Sequence, residues 1–272
     1  MSFRDKLSDR LKLPDKELTL LPNGYQIVGK IVLIKLDRRL LRHKKLIGKK
    51  VLEVLPYLDT VCLAKDIRKT IRQPRIEVIA GKKKTQTLNK EHGCSFLLDV
   101  ADIMWSQGNK NEKQRMIDTA KPGETVADMF SGIGYFSILI AKHCHPKKVY
   151  AMDINPKAAE YLRRNIWLNN VENIVEVLEG DCRLFAPALE GVADRVLMGY
   201  LFDTEKFLPD AIRIAKNKAI IHFHRTVKEG EIDSFGKKLE KDKRLKVMQA
   251  RKIKSYAPKV WHMVYDIRVT KS

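Results

Sequence analysis

Asp128-Met129-Phe130-Ser131-Gly132-Ile133-Gly134-Tyr135-Phe136-Ser137 follows the short apolar run Thr125-Val126-Ala127 and opens into Ile138-Leu139-Ile140-Ala141-Lys142. The order is strand, glycine turn, helix. Gly132 and Gly134 lack a Cβ and tolerate positive φ, so N–H groups at the start of the helix can approach a ligand closely. A dinucleotide fingerprint needs a third glycine beside the pyrophosphate, and Ser137 stands there instead. No Gly-Lys-Ser/Thr follows, which excludes a P-loop.

The next two strands narrow the ligand. Lys148-Val149-Tyr150-Ala151-Met152 ends in Asp153, 19 residues after Gly134, where a carboxylate can accept hydrogen bonds from both hydroxyls of a ribose. Ile174-Val175-Glu176-Val177-Leu178 leads to Gly180-Asp181-Cys182, an acid and a backbone N–H placed to read an adenine edge. A lone glycine turn also serves ordinary α/β packing. Acids at the ends of three successive strands, without a pyrophosphate clamp, form the layout of class I S-adenosylmethionine enzymes. The expected fold class is therefore α/β, a class I S-adenosylmethionine-dependent methyltransferase-like (Rossmann-like) domain, with S-adenosyl-L-methionine as donor. A smaller basic α+β N-terminal domain precedes it.

That smaller domain is legible first as charge. The 272 residues carry 53 Lys+Arg against 33 Asp+Glu, a net +20, and Met1–Lys90 alone holds 23 basic and 9 acidic residues. Such an excess points to a polyanion bound through its phosphates; the bland alternative is a solvated basic surface. No run of about 18 apolar residues is present to span a membrane, and Met1-Ser2-Phe3-Arg4-Asp5-Lys6 lacks the apolar core of a signal peptide. Cys62, Cys94, Cys144 and Cys182 are scattered without metal-ligand spacing and read as reduced thiols. A cytoplasmic protein is expected, monomeric, with no membrane and no metal.

Along the chain, residues 1–20 predict a short helical lead-in ending at the turn Leu21-Pro22-Asn23-Gly24. Tyr25 to Leu36 predicts one strand, and Leu40 to Leu63 predicts helix with a basic face that includes Arg38, Arg39, Arg42, Lys44, Lys45, Lys49 and Lys50. Arg75–Gly81 predicts a strand, and Gln86–Val100 an extended run turning at Glu91-His92-Gly93-Cys94. Residues 1–102 are expected to form the basic domain, the candidate for binding that polyanion, and residues 103–272 the catalytic domain. The joining segment Ile103–Met116 predicts a capped helix whose Lys113 or Arg115 can meet the methionine carboxylate. Glu112 can accept a proton from the acceptor or hold the amino group. The competing reading is a solvated helix start with i,i+3 charge pairs.

Ala193–Met198 predicts a fourth strand, ending at Gly199-Tyr200 without the proline turn common in amino-group methyltransferases. Ala219–Arg225 predicts a fifth, with His222 and His224 on one face, suited to substrate contact or structural hydrogen bonding. A helix over Ile232–Asp242 and two runs, Leu245–Ile253 and Val260–Val269, complete an antiparallel hairpin at the sheet edge.

Asp128–Gly134, Asp153-Ile154-Asn155-Pro156, Gly180-Asp181-Cys182 and Ser255-Tyr256-Ala257-Pro258, taken together, closely resemble the superfamily acting at tRNA position 37. It is shared by guanine N1-methyltransferases and wybutosine-synthesising aminocarboxypropyltransferases. The methyltransferase branch carries Ser-Pro-Arg at the linker and Asn-Leu-Pro after the fourth strand; this chain has Ser106-Gln107-Gly108 and Met198-Gly199-Tyr200. It resembles the archaeal aminocarboxypropyltransferases instead, also in Ile221-His222-Phe223-His224. The resemblance implies transfer of the 3-amino-3-carboxypropyl group to C7 of 4-demethylwyosine in tRNA(Phe), with methylthioadenosine released. It implies donor-binding roles for Ser106, Lys113, Asp153, Asp181 and Cys182, beside Arg115, Phe130, Ser131, Gly132, Gly134 and Ile154, and it places Glu112 where the methyltransferase branch has its base. Guanine-37 N1 methylation and a non-catalytic tRNA-binding role are the alternatives.

Overall fold

Ser2 opens the first helix by a reciprocal cap: its hydroxyl accepts from Asp5 N, and the Asp5 carboxylate accepts from Ser2 N. The computed structural model describes residues 1–67 and 74–271, divided into two units, Met1–Gln107 and Gly108–Ser272. In the first, α1 (Phe3–Ser8) and α2 (Asp15–Leu18) form the lead-in. The strand expected over Tyr25–Leu36 is instead a hairpin, β1 (Gln26–Val28) and β2 (Ile31–Ile34), paired antiparallel. The two-residue turn Gly29-Lys30 is a hairpin signal that the β-branched residues on either side obscure.

After a 3-10 turn over Arg38–His43, α3 (Lys44–Val54) buries Ile47, Gly48 and Val51 on one face. The helix expected to reach Leu63 stops at Val54, just before Pro56, and β3 (Thr60–Ile67) takes over where β-branched residues return. Residues 60–63 are thus strand rather than helix. With β4 (Pro74–Gly81) they build a sheet of order β1-β2-β3-β4, in which β2 and β3 run parallel across α3. Val32, Ile34, Ile47, Val51, Val61 and Leu63 are its core, and Arg38, Arg39, Arg42, Lys45 and Lys49 stay exposed. β5 (Gln86–Glu91) and β6 (Cys94–Asp99) form a separate hairpin turning at His92-Gly93, as expected.

Ile103–Ser106 is not helical: Ile103 and Trp105 are buried, Trp105 against Phe96 with ring centroids 5.5 Å apart. Burial of those two apolar residues in the first unit takes precedence over helix periodicity, so the expected helix begins later.

The second unit starts with that helix, α4 (Lys110–Thr119). Strands and helices then alternate: β7 (Thr125–Asp128), α5 (Ser137–His143), β8 (Lys148–Asp153), α6 (Pro156–Leu168), β9 (Val175–Glu179), α7 (Cys182–Phe185), β10 (Ala193–Met198), α8 (Leu208–Ile214), β11 (Ala215–Lys228) and α9 (Ile232–Leu239). β12 (Leu245–Ala257) and β13 (Val260–Val269) close the chain. The sheet order is β12-β13-β11-β10-β7-β8-β9, parallel except for β13, which is antiparallel to both neighbours. From β7 the chain proceeds to β8 on one side and later returns as β10 on the other. That reversal opens a crevice at the carboxyl end of β7.

β7 is buried at every position, as a central parallel strand covered on both faces must be. Among the described residues no helix is long and apolar enough to cross a membrane. Phe223, fully buried in β11, stacks on Phe235 of α9 at 6.0 Å. Phe223→Ala should lower the unfolding free energy by about 3–5 kcal/mol with little change in m-value, measured by urea titration.

Candidate functional site

The loop after β7 is sewn to the end of β8. Ser131 donates from both its N–H (2.8 Å) and its hydroxyl (3.0 Å) to the Met152 carbonyl. The Asp153 carboxylate accepts from Gly132 N at 2.7 Å and from Asn155 N at 2.8 Å. Gly132 and Gly134 have φ of +57° and +98°, as the turn requires. A Cβ on Gly134 would lie 2.5 Å from Ile138 Cδ1 and 2.9 Å from Leu162 Cδ1, so this glycine lets α5 seat closely beside α6. Burial pushes the Asp153 carboxyl up, opposed by the two N–H groups it accepts from.

At the next strand end, Gly180 N donates to the Asp153 carbonyl at 2.9 Å, placing Asp181 beside Asp153 in the chain path. Asp181 caps α7 by accepting from Arg183 N (3.0 Å), and its carboxylate is clasped by the Arg183 guanidinium, with Nε 2.9 Å away. That hydrogen bond holds the Asp181 carboxyl below its usual range. The acid is therefore fixed by its own helix turn. Cys182 is buried, and burial pushes its thiol up to about 12. Ile154 is exposed, and Phe130 stacks on Tyr200 at 5.2 Å while meeting Phe207 edge-on.

Lys113 and Glu112 lie on the buried side of α4. The Lys113 ammonium, wholly buried, sits 5.1 Å from the centre of the Tyr135 ring in the glycine loop. Glu112 accepts from Nε and Nη2 of Arg115, one edge of the guanidinium, at 2.9 and 2.6 Å, and Nη1 and Nη2 donate to the two Asp266 oxygens at 2.7 and 3.1 Å. Asp266 lies 2.6 Å from His222 Nδ1, and Arg195 donates to His222 Nε2 at 2.5 Å while pairing with Glu124. Arg195 as donor to Nε2 assigns the proton of a neutral imidazole to Nδ1, which then donates to Asp266.

Electrostatics agree with that assignment. Burial lowers His222 to about 4 against the pull of Asp266, so the ring is neutral near pH 7. Burial opposes ionisation of Asp266, but His222 and Arg115 outweigh it and hold the carboxyl at about 2. Glu112 is raised by burial, with Arg115 opposing. His224 Nδ1 lies 3.0 Å from His262 Nε2, and His224 Nε2 lies 3.8 Å from Glu112. The two histidines of β11 thus take part in structural hydrogen bonding. Among the described residues no group of three or more His, Cys, Asp or Glu could hold a metal ion.

The TRM5/TYW2 methyltransferase domain matches residues 87–249, and the TYW2 N-terminal domain matches residues 3–85. The chain belongs to the TRM5/TYW2 family. It is 39% identical over 257 residues to the tRNA(Phe) (4-demethylwyosine(37)-C(7)) aminocarboxypropyltransferase of Methanocaldococcus jannaschii, covering 90% of this chain and 97% of that one. The structure of Pyrococcus horikoshii TYW2 in complex with MeSAdo superposes with a TM-score of 0.83 at 37% identity, over 99% of this chain and 100% of that one. The aTrm5 structure with tRNALeu has a TM-score of 0.86 at 28% identity, covering 99% of this chain and 78% of that one.

Within this family fold, Phe130, Ser131, Gly132, Gly134, Asp153 and Ile154 converge on the carboxyl ends of β7 and β8, and Lys113 reaches the same loop through Tyr135. Asp181 and Cys182 stand at the next strand end. Arg115 points into the buried ionic chain, and Ser106 belongs to the first unit. Sequence reading counted Asp128 among the strand-end acids but gave it no role of its own, and it missed Arg195, Glu124 and Asp266. Asp266 meets His222 only because β13 pairs with β11 in that register, which no local pattern announces. Asp128 had a visible signal, its place at the strand end.

Asp128 is fully buried, accepts from the Ser137 hydroxyl at 2.7 Å, and is pushed by burial up to about 7. A carboxyl raised in the folded state contributes stability that is complete below its unfolded value and lost as pH rises through the folded one. Asp128→Asn, which stays neutral, should melt close to wild type at about pH 4 and gain on it steadily towards about pH 8 in thermal scans. Parallel curves would mean that Asp128 is not protonated in the fold.

Proposed function

We infer that this chain transfers the 3-amino-3-carboxypropyl group of S-adenosyl-L-methionine to C7 of 4-demethylwyosine at position 37 of tRNA(Phe), leaving methylthioadenosine. The reading has it act as a monomer in the cytoplasm, where its tRNA is found. The observation that carries it is the likeness over 97% of the M. jannaschii aminocarboxypropyltransferase, joined to the match with the TYW2 N-terminal domain. Met198-Gly199-Tyr200, in place of a proline turn, favours the same branch.

The residues present suit such a donor. Gly132 and Gly134 give the loop the positive φ of its tight turn, and the Asp153 carboxylate stands at the strand end where a ribose can lie. Phe130, Ser131 and Ile154 line the same turns, and Asp181 with Cys182 takes the adenine side. Lys113 supplies a buried cation for the donor's carboxylate. When bound, the sulfonium activates three carbons, and the one that reacts is the one presented to the acceptor. C7 is a carbon nucleophile and must lose its proton; Glu112, raised by burial, takes it. Arg115, tied to Asp266, positions Glu112. The basic first unit carries the tRNA phosphates.

Incubation with tRNA(Phe) bearing 4-demethylwyosine should release methylthioadenosine, identified by mass spectrometry. S-adenosylhomocysteine in its place would overturn the reading in favour of methyl transfer, and absence of S-adenosylmethionine binding would favour a non-catalytic tRNA-binding protein. Glu112→Gln should slow turnover by about 10²–10⁴-fold with donor affinity little changed. Affinity for tRNA should fall steeply with salt, its logarithm decreasing linearly with log salt; a flat response would remove the phosphate role of the basic unit.

A further inference from the structure

Glu112 and Asp266 share one guanidinium, that of Arg115. Two carboxylates against one cation leave the trio with one negative charge in excess. The side chains of Glu112, Asp266 and Arg115 are 1%, 13% and 14% exposed, so water screens that excess little. A scaffold does not call for it. Glu112, three residues before Arg115 on α4, already pairs with it, and a second acid adds another ion to be taken out of water.

The two acids are supported unequally. Asp266 lies 2.6 Å from His222 Nδ1. Arg195 fixes the other side of that ring and is itself held by Glu124, at 2.8 and 3.1 Å, and by the Thr119 carbonyl at 2.8 Å. Arg251 of β12 brings a further cation to 3.8 Å from Asp266. Glu112 has Arg115 alone within hydrogen-bond range: His224 of β11 faces it at 3.8 Å and is turned to His262 of β13. Lys113, next in the chain, has its ammonium over the Tyr135 ring. Burial pushes Glu112 up, Arg115 pulls it down, and the Asp266 charge pushes it up again, with Arg251 opposing. Burial opposes ionisation of Asp266 too, but His222 and Arg115 hold it at about 2. Asp266 is thus the fixed anion of the pair, and Glu112 the member that can bind a proton.

We propose that Asp266 is a positioning residue for the transfer reaction: by engaging one edge of the Arg115 guanidinium and adding a fixed negative charge, it keeps Glu112 basic enough to take the C7 proton. The proposal rests on Glu112 being the base and adds what sets its strength. Paired with Arg115 alone, Glu112 would be held ionised and would be correspondingly weak as a base. As C7 bonds to the donor's carbon and the C–S electron pair leaves on sulfur, the C7–H pair returns to the ring and the proton goes to Glu112. Asp266 exchanges no proton.

The pH dependence of single-turnover methylthioadenosine formation on tRNA(Phe) bearing 4-demethylwyosine tests this. In the wild type the rate should fall on the acid side as Glu112 is protonated, at a pH above the ordinary glutamate range. Asp266→Asn, which removes the charge, should move that limb down by about one pH unit or more and lower the plateau above it. Asp266→Glu, which keeps the charge, should leave the limb in place. Asp266→Ser replaces Asp266→Asn if the latter melts early, with the same shift expected. Infrared titration of the Glu112 carboxyl band, assigned by its loss in Glu112→Gln, should show the same downward shift without donor or tRNA. A lower plateau with an unmoved limb, or an unmoved infrared midpoint, would mean a scaffold role only and overturn the proposal. Glu112→Gln turning over at the wild-type rate would refute the base itself, and the proposal with it. Release of S-adenosylhomocysteine would refute the proposed reaction alone, since the infrared midpoint is read independently of it.

Discussion

Arg115 is the charge on which the interior of the second unit depends. Glu112 and Asp266 are carboxylates withdrawn from water, and one guanidinium faces both. Two buried anions without it would carry an uncompensated cost of several kcal/mol. The planar fork of arginine matches two carboxylates at once, which a lysine ammonium does not. The pairing also joins elements far apart in the chain: α4 supplies Glu112 and Arg115, and β13 supplies Asp266. Through His222 the same chain of charges reaches Arg195 on β10 and Glu124 before β7. Helix α4, whose buried face carries Glu112 and Lys113 beside Met116, is thus tied to the sheet by ionic hydrogen bonds as well as by apolar packing. Their geometry fixes where Glu112 stands.

The parts of this architecture that follow from local chemistry were legible in the sequence. The glycine turn after Asp128, the acid ending β8 and the closing antiparallel pair each rest on residues within one strand and its turn. The hairpin inside Tyr25–Leu36 was obscured because β-branched residues flank the turn Gly29-Lys30 on both sides. Leu63 was read as helix because a charged, leucine-rich stretch continues in helical spacing past Val54, whereas Pro56 ends it. Lys113 and Arg115, read as equivalent cations two residues apart, face different surroundings: one lies over the Tyr135 ring, the other between carboxylates. That separation depends on β13 reaching α4, a contact between segments 151 residues apart. Pairing at such range leaves no trace in spacing or periodicity.

The first unit divides its labour between two sides. Its parallel pair β2 and β3 with the crossover α3 buries Val32, Ile47 and Val61. The exposed residues of Arg38–Lys50 are largely cationic. Several of those cations are paired on the surface, as Lys50 is with Glu53 and Lys44 with Glu77. Surface pairs of this kind contribute little to stability.

In the second unit, the turns proposed to face the donor follow three consecutive strands, β7, β8 and β9, within residues 125–183. Glu112, Tyr200 and Asp266 come from outside that span. The span can therefore be inherited intact while the surrounding residues diverge, and a lineage can change which carbon is delivered without rebuilding the turns proposed to hold the nucleoside. Kinship between enzymes that move different groups to one nucleotide is then the expected outcome of where these turns sit in the chain.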